Sequence, residues 1–310
     1  MTAELKEMAD LLVVENFVNS LGDFKGAKVF HVDGGVSTAV YRLNKSGEVF
    51  YLRLGSGGEN ASSEVLAHKL MSERGVKVPQ ILVWEDENKM IGRSFMITSE
   101  IRGGRIDEDK MAKVDTYREA GRQLALINSI PLGKFGWIDR QEKDAGKLEG
   151  RCGSWKDFAL DMDNFAAMLA DLTAVGVWGE GEVAKILKYV DARSDLINCT
   201  QGFLAHGDFC PVHIYSEQGR YSGIIDFGDI RVTSQFHDLG HYYTYARKSF
   251  YDLLAGYREI NDLGENYMEK IKFEALVFGI GKMWWVAKNL PGQLKTRKYV
   301  MRVVGEETRI

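Results

Sequence analysis

Strand-like and helical patterns do not alternate along this chain; they fall on either side of an ArgGlyGly at 102–104. Before it, three β-rich runs lie between Lys28 and Leu54: AKVFHV, TAVYRL after GlyGly at 34 and 35, and EVFYLRL after the turn at 45–47. A helical pattern runs from Ser62 to Arg74 and stops at Gly75, and ValProGlnIle at 78–81 leads into two further strands ending at SFMITSEI. Beyond the ArgGlyGly, helical spacing dominates at 108–129, 154–174, 179–192, 235–260 and 265–289. Such segregation predicts an α+β fold with a small β-rich N-lobe over 1–101, a five-stranded sheet with one long helix, and a larger helical C-lobe over 102–310. An amphipathic helix over 1–22 leans on the first lobe. At 310 residues the chain exceeds what one core comfortably fills, so two lobes sharing a cleft are expected, hinged at the glycine-containing crossover.

Composition narrows the function. A net charge of −4 gives no reason to expect nucleic acid or an anionic membrane as partner. Cys152, Cys199 and Cys210 are odd in number and widely spaced, fitting neither a disulfide framework nor a zinc site. A reduced, cytoplasmic setting is expected, with neither a leader peptide nor an apolar run of about 18 residues that would enter a membrane. Four prolines leave little room for a disordered linker.

The one β-looking stretch of the helical half, Phe203 to Phe227, holds the densest polar group. It reads HisGlyAspPheCysProValHis at 206–213 and IleIleAspPheGlyAsp at 224–229, with Asp208 and Asp226 flanking a hairpin that turns at 217–220. Phosphoryl transfer needs two such carboxylates: one to orient the attacking hydroxyl and take its proton, one to hold the metal on the nucleotide phosphates. Protein kinases carry the same layout, a catalytic-loop aspartate followed by a metal-binding Asp-Phe-Gly.

With this spacing the chain resembles the aminoglycoside-phosphotransferase family, and LINSIPLGKFGWI at 126–138 and SWKDF at 154–158 strengthen the resemblance. It implies a two-lobed, protein-kinase-like fold and a small-molecule kinase using ATP or GTP with Mg2+. By resemblance Asp208 is the catalytic base, His206 supports the catalytic loop, and Asp226 binds magnesium. Two positions depart from the family pattern. His213 stands where asparagine usually supplies a second magnesium ligand, and magnesium prefers hard oxygen to imidazole nitrogen. Arg53 stands at the third-strand position usually held by lysine; it stays charged and can fork onto phosphate or pair with Glu64. The arginine resembles the hygromycin B and macrolide kinase branches, the histidine the macrolide branch. Ser37 and Thr38, in the glycine-containing turn, are expected over the phosphates, and the Ser99 carbonyl and Ile101 amide, on an exposed strand edge, against the nucleotide base.

For the acceptor, the candidate contacts are Asp157, Asp161, Asp163, Asp229, Glu265 and Glu269. Residues 252–270 hold five acids against two bases, which favours a cationic, polyhydroxylated acceptor such as an aminoglycoside. Other small alcohols, a macrolide or a metabolite, and a nucleotide-binding pseudokinase are the competing readings; a protein kinase is disfavoured because helix resumes too soon after Asp226 for a long activation segment. The expected assembly is a monomer or homodimer.

Overall fold

The computed structural model describes residues 9–33, 38–56, 58–106, 113–140, 146–296 and 298–308. The chain forms two compact units that interleave in sequence. The first takes Met1–Arg102, Asp139–Leu148 and Gly223–Gly228; the second takes Gly103–Ile138, Glu149–Ser222 and Asp229–Ile310.

In the first unit, α1 (Leu11–Ser20) is capped by Asp10, whose carboxylate accepts from the Leu12 amide at 2.8 Å, and buries Val14, Phe17 and Val18. Five strands follow, β1 (Lys28–His31), β2 (Ala39–Lys45), β3 (Glu48–Leu54), β4 (Ile81–Asn88) and β5 (Arg93–Ser99), all antiparallel in the order β1-β2-β3-β5-β4. One sheet face carries Leu43, Leu52, Leu54, Phe95 and Ile97 into a core with α1, where the Phe17 and Phe95 rings meet edge to face at 4.8 Å. The two-residue period that sends Leu52 and Leu54 inward turns Arg53 to the opposite face. Helix α2 (Ser62–Glu73) has no side-chain cap of its own at Ala61; Asp86 of β4 accepts the Ser62 amide at 2.8 Å instead.

The second unit is helical with two small sheets. Its core is α9 (Tyr267–Asn289), which buries Ile271, Phe273, Leu276, Ile280 and Met283 against α5 (Met162–Ala174), α7 (His237–Tyr245) and α10 (Lys298–Thr308). Helices α3 (Val114–Ile127) and α8 (Phe250–Arg258) touch backbone to backbone: a Cβ on Gly121 would collide with the Leu253 carbonyl, and one on Gly256 with the Arg118 carbonyl. Helices α4 (Trp155–Ala159) and α6 (Glu180–Asp191) complete the set. One sheet orders β7 (Pro131–Leu132), β9 (Gly202–Ala205), β12 (Arg231–Thr233) and β8 (Gly136–Trp137). The other orders β11 (Arg220–Ile224), β10 (Ile214–Glu217) and β6 (Gly104–Arg105). The expected hairpin is β10–β11, closed at Gln218 and Gly219 with φ of 52° and 75°, the left-handed pair that a tight two-residue hairpin requires.

Three sequence expectations need correcting. The helix read over 235–260 is two, because Ala246 leaves helical geometry and the freed end is held by the Arg247 Nε donating to the Tyr243 carbonyl at 3.1 Å. The helix over 154–174 breaks at Leu160, and Asp161 caps the new start by accepting from the Asn164 amide at 3.4 Å. Strand β5 lies inside its sheet, not at an edge. No described helix is long and apolar enough to cross a membrane.

Candidate active site

In the second unit, β9 delivers the chain into His206, Gly207 and Asp208, and one buried carboxylate holds that turn. Asp238, in the first turn of α7, accepts from the His206 amide and the Asn128 side-chain amide through Oδ2, and from the Gly207 amide through Oδ1, each at 2.9 Å. Asn128, just past the end of α3, also donates to the Leu204 carbonyl at 3.0 Å and accepts from the Tyr257 hydroxyl at 3.3 Å. Gly207 sits at φ 84°, where a Cβ would strike the Asp229 carbonyl, so only glycine makes the turn. Charge-assisted bonds from two backbone amides to a fully buried carboxylate fix a loop more firmly than neutral ones.

Asp208 follows with its side chain 29% exposed. Its amide donates to Nδ1 of His206 at 3.3 Å, so that nitrogen is an acceptor and the ring braces the loop. The His206 ring packs edge to face on Phe209 at 5.6 Å and parallel to His213 at 5.7 Å. His213 donates from Nδ1 to the Asp208 carbonyl at 2.8 Å and lies 3.6 Å from the Cys210 sulfur. The carboxylate of Asp208 has an imidazole on each side: Nε2 of His241 is 3.3 Å from Oδ1, and Nδ1 of His213 is 3.9 Å from Oδ2. Arg231 on β12 lies buried with its guanidinium 3.7 Å over the Trp137 ring and its Nε donating to the Asp229 carbonyl at 3.0 Å. Burial lowers its basicity, against the pull of Asp229, Asp238 and Asp208.

In the first unit, Arg53 donates from Nη1 to Oε1 of Glu64 at 2.5 Å, a pair whose carboxylate is 4% exposed. Glu64 stands in the first turn of α2 and also meets Nη1 of Arg140 at 3.6 Å and Nε2 of His68 at 3.9 Å. Arg140 continues to the chain at 227–228, donating to the Gly228 carbonyl at 2.6 Å, and His68 packs edge to face on Phe227 at 4.9 Å. Asp226 is thereby presented at φ 69°, a left-handed conformation rare outside glycine, with Oδ1 3.5 Å from Nη2 of Arg53 and its side chain 49% exposed. An exposed carboxylate oxygen beside a fixed cation suits a hard divalent ion shared with phosphate. The imidazole and thiol beside Asp208 are softer donors than magnesium prefers.

The other expected residues are more dispersed. Thr38 precedes β2, while Ser37 and the glycines at 34 and 35 lie outside the described residues. Ser99 ends β5, its amide donating to the Gln80 carbonyl and its hydroxyl accepting from the Gln80 amide, both at 2.9 Å; Ile101 follows and covers Gly223. Asp157 is exposed in α4, Asp161 serves as a helix cap, Glu265 precedes α9 and Glu269 is exposed in its first turn. Asp229 lies just before β12 and offers its carbonyl to Arg231. The acid-rich segment at 252–270 is less anionic than its composition implies, because Glu259 is held by Arg122 at 2.6 Å and Arg118 at 3.9 Å. The hydrogen bond from Arg122 keeps the Glu259 carboxyl below its usual range. Asn128, Arg140, Arg231 and His241 were not singled out from sequence; each sits outside the two motifs and reaches them only through the fold.

The profile of the phosphotransferase enzyme family, the aminoglycoside-phosphotransferase group, matches residues 31–270, and the chain belongs to that family. Its α+β fold is the kinase-like one. The aminoglycoside phosphotransferase APH(4)-Ia superposes with a TM-score of 0.69 at 13% identity, over 97% of this chain and 99% of its own. A thermostable mutant of that enzyme, in a ternary complex with ADP and hygromycin B, gives 0.70 at 12% over 96% and 98%. A candidate fructosamine-3-kinase from Thermobifida fusca YX-ER1 gives 0.64 at 17% over 93% and 98%. At these identities the likeness is one of fold. Comparison with curated proteins finds no match.

Proposed function

We propose that this protein is a small-molecule kinase that moves the γ-phosphate of a nucleoside triphosphate onto a hydroxyl group. The observation that carries the reading is the first-unit constellation: a buried Glu64 clamping Arg53 and Arg140, with Asp226 held in a strained, exposed conformation beside Arg53. A fixed cation next to an exposed carboxylate is what binding a metal–triphosphate requires, and local backbone strain of this kind concentrates at functional sites. Asp226 would hold magnesium, which when bound neutralises charge developing on the phosphates. Arg53 supplies a fork to the phosphate oxygens that lysine would contact as a point charge.

Asp208 is the base in this reading. As the acceptor oxygen bonds to the γ-phosphorus, its proton passes to the Asp208 carboxylate and the bond to the leaving nucleoside diphosphate breaks. His206, with Nδ1 accepting from the Asp208 amide, shapes the loop. The acceptor class we favour is the cationic, polyhydroxylated aminoglycoside, supported by the complex of the fold relative with hygromycin B and by exposed Asp157, Glu265 and Glu269. The T. fusca relative keeps a sugar-amine metabolite as the second reading. Incubation of the purified protein with magnesium, ATP or GTP, and a panel of aminoglycosides, macrolides and glycated amines, read by the mass gain of one phosphate on the acceptor, tests the proposal. Transfer to an aminoglycoside is expected; nucleotide binding without transfer to any member would leave a pseudokinase.

A further inference from the structure

His241 lies one turn into α7, directly beyond His237 on the same face, and is wholly buried. Neither ring nitrogen has a hydrogen-bond partner among the described residues, and its ring is packed 4.1 Å from Phe278 and 4.9 Å from Tyr245. An unsatisfied buried imidazole is expensive, since each unmatched polar group forfeits its hydration, so its retention calls for a compensating role. Among the described residues, the carboxylate of Asp208 approaches it, with Oδ1 3.3 Å from Nε2 but without the alignment of a formed hydrogen bond.

We infer that His241 is a positioning residue for Asp208: a small rotation of the carboxylate in the working complex brings Oδ1 onto the Nε2–H of His241 and commits Oδ2 to the acceptor hydroxyl. The inference rests on the reading of Asp208 as base. The two oxygens are already unlike in their surroundings. Oδ1 looks toward an imidazole with no exposure, and Oδ2 toward His213, whose side chain is 13% exposed, so Oδ2 is the oxygen on the accessible side. Catalytic hydrogen bonds are often long and poorly aligned before the substrates bind, and tighten afterwards. Burial, reinforced by the nearby Lys282 charge, holds His241 well below the usual histidine range. A neutral ring carries one N–H, and on Nε2 that proton is the one that can reach the Asp208 carboxylate.

Phenylalanine and glutamine at position 241 separate this role from simple packing. His241→Phe fills the same space with no donor, and removing an unpartnered imidazole from an apolar site leaves stability equal or raised. If His241 only packs, the variant works. If it aims the base, kcat falls about ten- to hundredfold while KM for nucleotide is unchanged, the loss of one charge-assisted hydrogen bond made in the transition state. His241→Gln restores an N–H and recovers most of kcat. The decisive measurement is the double variant: in an Asp208→Ala background, His241→Phe should lower the residual rate no further. A kcat of His241→Phe within twofold of the parent, or a further loss on top of Asp208→Ala, overturns the inference. An Asp208→Ala protein that itself keeps substantial turnover overturns the base assignment instead.

Discussion

At the scale of single residues, Asp208 and Asp226 differ in what their removal should do. Asp208→Ala is expected to lower kcat by about two to four orders of magnitude, the range of general-base contributions, and to leave nucleotide affinity near normal. Asp226→Ala should lose magnesium-dependent nucleotide binding as well. Calorimetric titration with a non-hydrolysable triphosphate distinguishes the two. His213 is a finer case. Its Nδ1 is engaged with the Asp208 carbonyl at 2.8 Å, and the amide nitrogen of asparagine can reproduce that bond. His213→Asn should therefore keep most of the rate and His213→Ala lose it, with the same apparent magnesium affinity in both; a weaker magnesium dependence in the alanine variant would put the imidazole in the metal site. The two aspartates were legible in sequence because each sits in a short motif with a chemically required neighbour. His241 was not, since nothing in HisAspLeuGlyHis says which of its polar residues faces a strand ending more than thirty residues earlier.

Among elements, α7 does the most for the loop it supports. Asp238 is buried and takes the amides of His206 and Gly207, two donors with no water to fall back on. Asp238→Ala leaves both unmatched at about 1–3 kcal/mol each, so a loss of about 2–6 kcal/mol is expected. For a unit of this size each kcal/mol lowers Tm by about 2–4 °C, which differential scanning calorimetry resolves. Asp238→Asn keeps one acceptor oxygen and should lose less. That the chain is helical around Asp238 was readable from the spacing over 235–260. The break between α7 and α8 was not, because Tyr245 to Ser249 contain no proline or glycine, and the break depends on a buried bond between the Tyr242 hydroxyl and Ser249 at 2.8 Å. Helix α10 shows the converse. Val300, Val303 and Val304 form a buried stripe at helical spacing, a signal that the sequence itself carries.

For the whole molecule, the acceptor proposal makes an ionic prediction. With Glu259 neutralised by Arg118 and Arg122, attraction falls to the remaining exposed acids, and exposed pairs contribute only about 0.2–1 kcal/mol each. The KM of the best aminoglycoside should rise several-fold from low to physiological salt, and that of the nucleotide less. A neutral compound preferred over every aminoglycoside, with no such dependence, overturns the cationic acceptor and leaves phosphoryl transfer standing. The interleaving of the two units carries a different consequence, for biosynthesis. Residues 139–148 and 223–228 belong with the first hundred, and Arg53 meets its partner Asp226 across 173 positions. A ribosome adding about 5–20 residues each second therefore spends roughly ten seconds or more between making the arginine and making the aspartate. For about the first half of that interval the nascent first unit has Arg53 but not Arg140, and until its end it lacks Asp226, so the end of it that carries this cluster is the last part to be completed. A gene fragment cut at the ArgGlyGly would yield a sheet that had never met two of its own charges.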